Sequence, residues 1–218
     1  MKHSKLFITA AVALIAAATA DAARVDMKDP RRALALDDNL RIDAQLTQDV
    51  IGSGTSVNIT FQVQNNTAAP VAIAEKVCES SYDADTQTIT LSIGSEIPSG
   101  PTMPHLSVIK SGQTRVFTTG ATVHVALPAV RSPFIAYPRY VQVKVNVLRD
   151  IAPFSELIEQ QAGVQPPLSD SLFETWVENN DAIFLNAIPV RWRSGRGPAD
   201  QNGADMGSPA NLRGGGTF

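Results

Sequence analysis

The 218-residue sequence is poor in the groups on which much protein chemistry depends: it has one cysteine, Cys78, three histidines, and aromatic residues at only 6%. A single cysteine excludes an internal disulfide and any cysteine-rich zinc site. Charge of neither sign dominates. With 18 Lys+Arg against 21 Asp+Glu and a net charge of −3, the chain lacks the basic surplus from which nucleic-acid binding draws its affinity. No apolar run reaches the roughly 20 residues that a bilayer-crossing helix needs. There is no His-Glu-x-x-His ligand pair, no Gly-x-x-x-x-Gly-Lys-Ser/Thr loop and no Gly-x-Ser-x-Gly elbow. Gly52-Ser53-Gly54 precedes a strand pattern and so lacks the helix start that cradles phosphate. No cofactor is implied.

What is present begins at the N-terminus. Met1-Lys2-His3-Ser4-Lys5 is a short cationic stretch, followed from Leu6 to Ala18 by an apolar run broken only by Thr9. Ala18-Thr19-Ala20 and Ala20-Asp21-Ala22 put small residues where a signal peptidase cuts, which predicts a signal peptide over residues 1–22. No cysteine follows the run and no Arg-Arg pair precedes it, so the expected route is Sec-type export to a periplasmic or secreted location. Cleavage removes Lys2, Lys5 and Asp21 and leaves the chain one charge more negative. In an oxidising compartment Cys78 is then expected to be buried and inert, the alternatives being a disulfide between chains or a reactive thiol.

Residues 23–39 mix both charge signs without a clear period and read as a flexible leader in which Leu34 and Leu36 are expected to begin packing. From Leu40 onward the period becomes two. Ile42, Ala44 and Leu46 alternate with polar residues, as do Val57, Ile59, Phe61 and Val63, then Ile89, Leu91 and Ile93, then Val141, Val143, Val145 and Val147. Turn signals separate these runs, and no long helical pattern lies between them. Two antiparallel sheets packed face to face are expected. A helical insert over about 153–179 precedes a closing strand, Ile183 to Arg193. Pro153 is placed as a first helical residue, Gly163 as a stop, and Ser171-x-x-Glu174 as a capping box. Residues 194–218 hold seven glycines and few large apolar side chains, the composition of a disordered tail.

Three segments carry a resemblance. Val57-x-Ile59-x-Phe61-x-Val63-x-Asn65-Asn66-Thr67 followed by Pro70-Val71, then Ser111-Gly112-Gln113 leading to Val116 and Phe117, then Ile188-Pro189-Val190-Arg191-Trp192, resemble strands and turns of bacterial immunoglobulin-like sandwich domains of the intracellular-proteinase-inhibitor (BsuPI-like) type. The likeness spans about residues 40–150. It implies an all-β, immunoglobulin-like antiparallel β-sandwich and a tendency to bind proteins, and it supplies no reactive-site loop that can be placed here.

Candidate chemistry is sparse. His105 follows Pro104 in a loop, and His124 points to the face opposite Val123 and Val125, so both read as solvated rings. Asp83-x-Asp85 with Glu79 nearby reads as a polar hairpin turn; the alternative, a calcium site, lacks a completing glycine turn and distal glutamate. Trp176 and Trp192 lie on apolar faces and read as core. A possible interaction surface is Arg131, Phe134, Tyr137 and Arg139, because aromatic and arginine side chains are favoured at interface hot spots. The expectation is an exported, non-catalytic binding or assembly protein of the cell envelope, acting through sandwich edges or loops on another envelope or secreted protein. A proteinase-inhibitor-like module and a hydrolase with a dispersed active site are the alternatives.

Overall fold

The computed structural model describes residues 25–98, 100–125, 136–161 and 165–193. The stretches read as a signal peptide and a tail, Gly163 and most of the proline-rich connection, including Arg131 and Phe134, lie outside the described residues.

In chain order the strands are β1 (Arg32–Asp37), β2 (Leu40–Leu46), β3 (Val50–Ile51), β4 (Ser56–Asn65), β5 (Val71–Ile73), β6 (Cys78–Asp83), β7 (Thr88–Ile93), β8 (Ser107–Ile109), β9 (Thr114–Thr122) and β10 (Tyr140–Leu148). A 3-10 turn at Ala152–Phe154 and two helices, α1 (Ser155–Gln160) and α2 (Asp170–Asn179), follow. The chain then continues as β11 (Asn180–Phe184), β12 (Ile188–Pro189) and β13 (Arg191–Trp192). One sheet has the order β1-β2-β4-β9. The other has β6-β7-β10-β5-β8, with β11 and β12 added to β10, while β3 and β13 form a small pair. The protein is an all-β sandwich. Among the described residues no helix is long and apolar enough to cross a membrane.

The alternating runs form the interior. Val57, Ile59, Phe61 and Val63 on one sheet and Val141, Val143, Val145 and Val147 on the other are completely buried, as are Ile89, Leu91 and Ile93. Phe61 stacks on Phe117 with centroids 5.1 Å apart. Asn65, also fully buried, shows why the first long strand stops where it does. Its side-chain amide donates to the carbonyls of Ala69 and Ile109, and its Oδ1 accepts from the amide and hydroxyl of Thr67.

Four expectations are corrected. Part of the leader is structured: Val25 is buried and residues 32–37 form β1. The pairing is not wholly antiparallel, because β7 and β10 run parallel over six residue pairs, Tyr140↔Thr88 to Val145↔Ile93. A parallel pair needs a long crossover, and here residues 94–139 supply it, visiting β8 and β9 on the way. The closing strand is three short pieces: between β11 and β12 the register on β10 shifts by one residue, from Lys144↔Phe184 to Val141↔Ile188, and β13 leaves β10 to pair with β3. The cap of α2 is Ser169, whose Oγ accepts from the Leu172 amide, so Ser171-x-x-Glu174 lies inside the helix.

The helical insert covers one end of the second sheet. Phe154 and Trp176 meet edge to face at 5.7 Å, and with Met103, Leu106 and Leu148 they form a second, smaller core. Trp176 is buried and its indole N–H donates to the Ser95 carbonyl at 3.1 Å.

Candidate functional site at a strand seam

The hairpin between β1 and β2 sets everything that follows. Its two central residues, Asp38 (φ 41°) and Asn39 (φ 65°), are left-handed, the conformation of a two-residue primed turn. Asp and Asn tolerate that region better than most side chains. The turn fixes the register, with Ala35 opposite Ile42 and Ala33 opposite Ala44. Residues directly opposite share a face, and Ile42 and Ala44 point into the core. Ala33 is therefore buried completely, whereas Leu34 and Leu36 face solvent at 46% and 73% exposure. A one-residue slip would reverse this. Full burial of a leucine is worth about 1.5–3 kcal/mol, so a strand with its alanines inside and its leucines outside forgoes stability. Such departures from ordinary patterning concentrate at functional or strained sites.

The strand is nevertheless firmly held. Arg32 and Arg41 both pair with Asp43 on β2, which is 1% exposed. Burial raises the Asp43 pKa, but hydrogen bonds and charge from Arg41 and Arg32 outweigh it and hold the carboxyl below its ordinary value.

Opposite β1, across a gap, runs β11. Its Ile183 faces Val145 and is buried; the next residue, Phe184, faces out at 55% exposure. The Arg149 amide donates to the Asn179 carbonyl and the Leu185 amide to that of Val143. Hydrogen-bonded and open pairs alternate along an antiparallel ladder, so the amides and carbonyls of Ala182 and Phe184 point away from β10, towards β1. The same alternation, counted from the primed turn, points those of Leu34 and Leu36 towards β11. Yet β1 and β11 share no ladder.

The seam is clasped at each end instead. At one end the Leu34 amide donates to Asn186 Oδ1 at 2.6 Å, and the Asn186 amide donates to the Leu34 carbonyl at 3.3 Å. At the other, Arg149 bridges the two strands, with Nε on Asp181 at 2.7 Å and Nη2 on Asp37. Between the clasps lies an open cleft of about 450 Å³, lined by Leu36, Asp37, Asp38, Asp181, Ala182 and Phe184 among others, with no lysine or arginine in its lining. Lys144 lies 5.9 Å from the Phe184 ring centroid on the outer surface, where Glu96 pairs with it at 2.6 Å.

The opposite side of the sandwich is sutured. The Ser80 hydroxyl of β6 donates to the Thr122 carbonyl of β9 at 2.8 Å, and Arg115 Nη1 donates to the Val108 carbonyl of β8 at 3.1 Å.

Of the residues singled out from sequence, Tyr137 is 41% exposed beside Tyr140 at 42%, and Arg139 is exposed while its backbone is tied to Gln87 and Val190. They lie near the β12 end of β10, apart in the chain from the seam residues. His105 and His124 are exposed. Trp192 packs, partly buried, against the main core. Asp83 closes the β6–β7 turn, accepting from the Asp85 amide and the Thr86 hydroxyl. Among the described residues no group of three or more His, Cys, Asp or Glu side chains is assembled for a metal ion. Cys78 is half-buried, and burial, aided by Glu79, pushes its thiol up to about 11.

The seam residues were missed because Leu34 and Leu36 fall within the stretch read as a leader and were expected to pack, whereas the register of β1 turns both to solvent and Ala33 inward. The available signal was the Asp38-Asn39 pair between two alternating stretches. Comparison with protein-family models, curated proteins and solved structures returns no match.

Proposed function

We propose that the protein is an exported, non-catalytic binding or assembly protein of the cell envelope, and that it meets another envelope or secreted protein through the sandwich edge where Leu36 of β1 and Phe184 of β11 are exposed. One observation carries the reading: two adjacent strand edges present Leu36 and Phe184 to solvent and share no ladder, being joined only at the Leu34–Asn186 and Arg149 contacts. Export rests on the cationic and apolar pattern of residues 1–22. The tendency of BsuPI-like sandwiches to bind proteins agrees with this reading.

The test compares surfaces. Residues 23–218 are immobilised as wild type, as Leu36→Asp with Phe184→Asp, and as Tyr137→Asp with Arg139→Glu, and each is exposed to envelope extract. Proteins retained by the wild type should be lost from the first variant and kept by the second. The reverse outcome moves the interaction surface to the Tyr137 region, and identical retention by all three refutes both.

A further inference from the structure

We infer that the edge formed by β1 and β11 is the docking surface for an amphipathic helix of a partner protein, with an apolar stripe flanked by Lys or Arg. This rests on the edge reading above and adds the conformation and chemistry of what meets the edge.

The backbone excludes a guest strand. The two strands come within 8 Å of each other, Cα to Cα, and are clasped at Leu34–Asn186 and by Arg149. A strand bonded to both would hold them about 9.6 Å apart. Contact at this edge is therefore made by side chains on its outer surface. Leu36 and Phe184 stand exposed at the mouth of the cleft, and Leu34 follows two residues away on the same face of β1. Large apolar side chains grouped in this way mark an interaction surface. An α-helix bonds its own backbone internally and presents one apolar stripe, so it asks no ladder of either strand. Laid over the cleft, the stripe buries against Leu36 and Phe184, as amphipathic helices do in apolar grooves.

The charge selects what flanks the stripe. Asp37, Asp38 and Asp181 line the cleft, and the cation at its end, Arg149, is shared between Asp37 and Asp181. Lys144 adds no net charge, since Glu96 pairs with it. Arg41 stands opposite Leu36 on β2, so β1 separates it from the cleft, and there it holds Asp43 together with Arg32. Three carboxylates against one guanidinium leave the cleft net negative. Lysines or arginines beside the stripe meet these carboxylates, Asp38 first, because Asp38 takes no part in the Arg149 bridge. A second copy of this chain is disfavoured as the occupant, since a two-fold contact sets one acidic cleft against the other.

The experiment measures binding of four labelled peptides to residues 23–218 by fluorescence anisotropy at low salt. Three are helices of about four turns, cross-linked to stay helical, with one leucine stripe flanked by lysine, glutamine or glutamate. The fourth has the composition of the lysine peptide, without the cross-link, rearranged so that leucine and lysine alternate as in a strand. The helical lysine peptide should bind at least tenfold more tightly than the glutamate peptide, with glutamine between them, and at least tenfold more tightly than the alternating peptide. Leu36→Ser with Phe184→Ser should abolish its binding, Tyr137→Asp with Arg139→Glu should leave it unchanged, and Asp38→Asn with Asp181→Asn should reduce the lysine preference to less than threefold. Equal binding of the lysine and glutamate helices would overturn the charge inference, and equal binding of the alternating peptide would overturn the helix; both leave the edge reading standing. Binding that survives Leu36→Ser with Phe184→Ser, or no binding of any peptide, would overturn the inference as a whole, while the retention test above decides the edge reading separately. A dimer in sedimentation that Leu36→Ser with Phe184→Ser dissociates would make a second copy the occupant and overturn it likewise.

Discussion

If the primed turn sets the register of β1, truncating its leucines should matter far less than altering the residues one position away. Leu36 is 73% exposed, so Leu36→Ala removes about a quarter of a burial worth about 1.5–3 kcal/mol, or about 0.5 kcal/mol. Ile42, completely buried on β2 opposite Ala35, should lose about 2–5 kcal/mol on Ile42→Ala, because a cavity is left as well. Ala33→Leu tests the same claim from the other side. Position 33 has no exposed surface, and the extra volume should cost about 1–3 kcal/mol by overpacking. Urea unfolding followed by circular dichroism reads all three. With a slope of about 2 kcal/mol/M, Ile42→Ala should lower the midpoint by at least about 1 M and Leu36→Ala by about 0.25 M. A Leu36→Ala loss as large as that of Ile42→Ala, or a neutral Ala33→Leu, would mean that the strand is shifted by one residue, and the seam would lose its exposed leucines.

Three further outcomes are expected. Trp176→Ala removes the centre of the second core and the bond to Ser95 and should cost about 3–5 kcal/mol; helical signal should melt before the β signal, and an unchanged melting curve would refute that packing. Because the folded-state pKa of Asp43 lies below its ordinary value, its contribution to stability is complete above about pH 4 and is lost as the pH falls through the lower, folded-state value. Asp43→Asn should therefore destabilise the protein at pH 7 by about 2 kcal/mol, a figure reduced from that of a fully buried pair because Arg41 is partly exposed, and should flatten the stability profile below pH 4; an equal loss at pH 3 and pH 7 would contradict the ion-pair account. Cys78, with its thiol near 11, should react slowly with a thiol reagent at pH 8 in the native state and rapidly in urea, so rapid labelling of the folded protein would show that the thiol is not shielded.

The sandwich was legible in the sequence because its interior strands obey one strong rule. Val57 to Val63 and Val141 to Val147 alternate without exception, and burial of one face leaves their orientation no choice. The parallel pairing of β7 with β10 was not legible, since alternation fixes which face a strand buries but not which neighbour it takes. β1 escaped notice because hydrophobicity pointed the wrong way. In Arg32–Asp37 the larger apolar residues are the exposed ones, and the evidence for a strand lay in the turn after it, where Asp38 and Asn39 adopt positive φ. The seam could not be read at all from local pattern. Its two sides lie far apart in the chain, and what joins them, Asn186 to Leu34 and Arg149 to Asp37 and Asp181, is a product of the closed fold.

Amide hydrogen exchange, followed residue by residue by NMR with and without a partner retained from envelope extract, bears most directly on the edge that carries Leu36 and Phe184. Binding at this edge predicts that the amides of Leu36, Ala182 and Phe184 become protected on binding, while those flanking Tyr137 and Tyr140 do not change. Protection confined to the Tyr137–Tyr140 region or to the edge of β8, with the three seam amides exchanging as before, would contradict it.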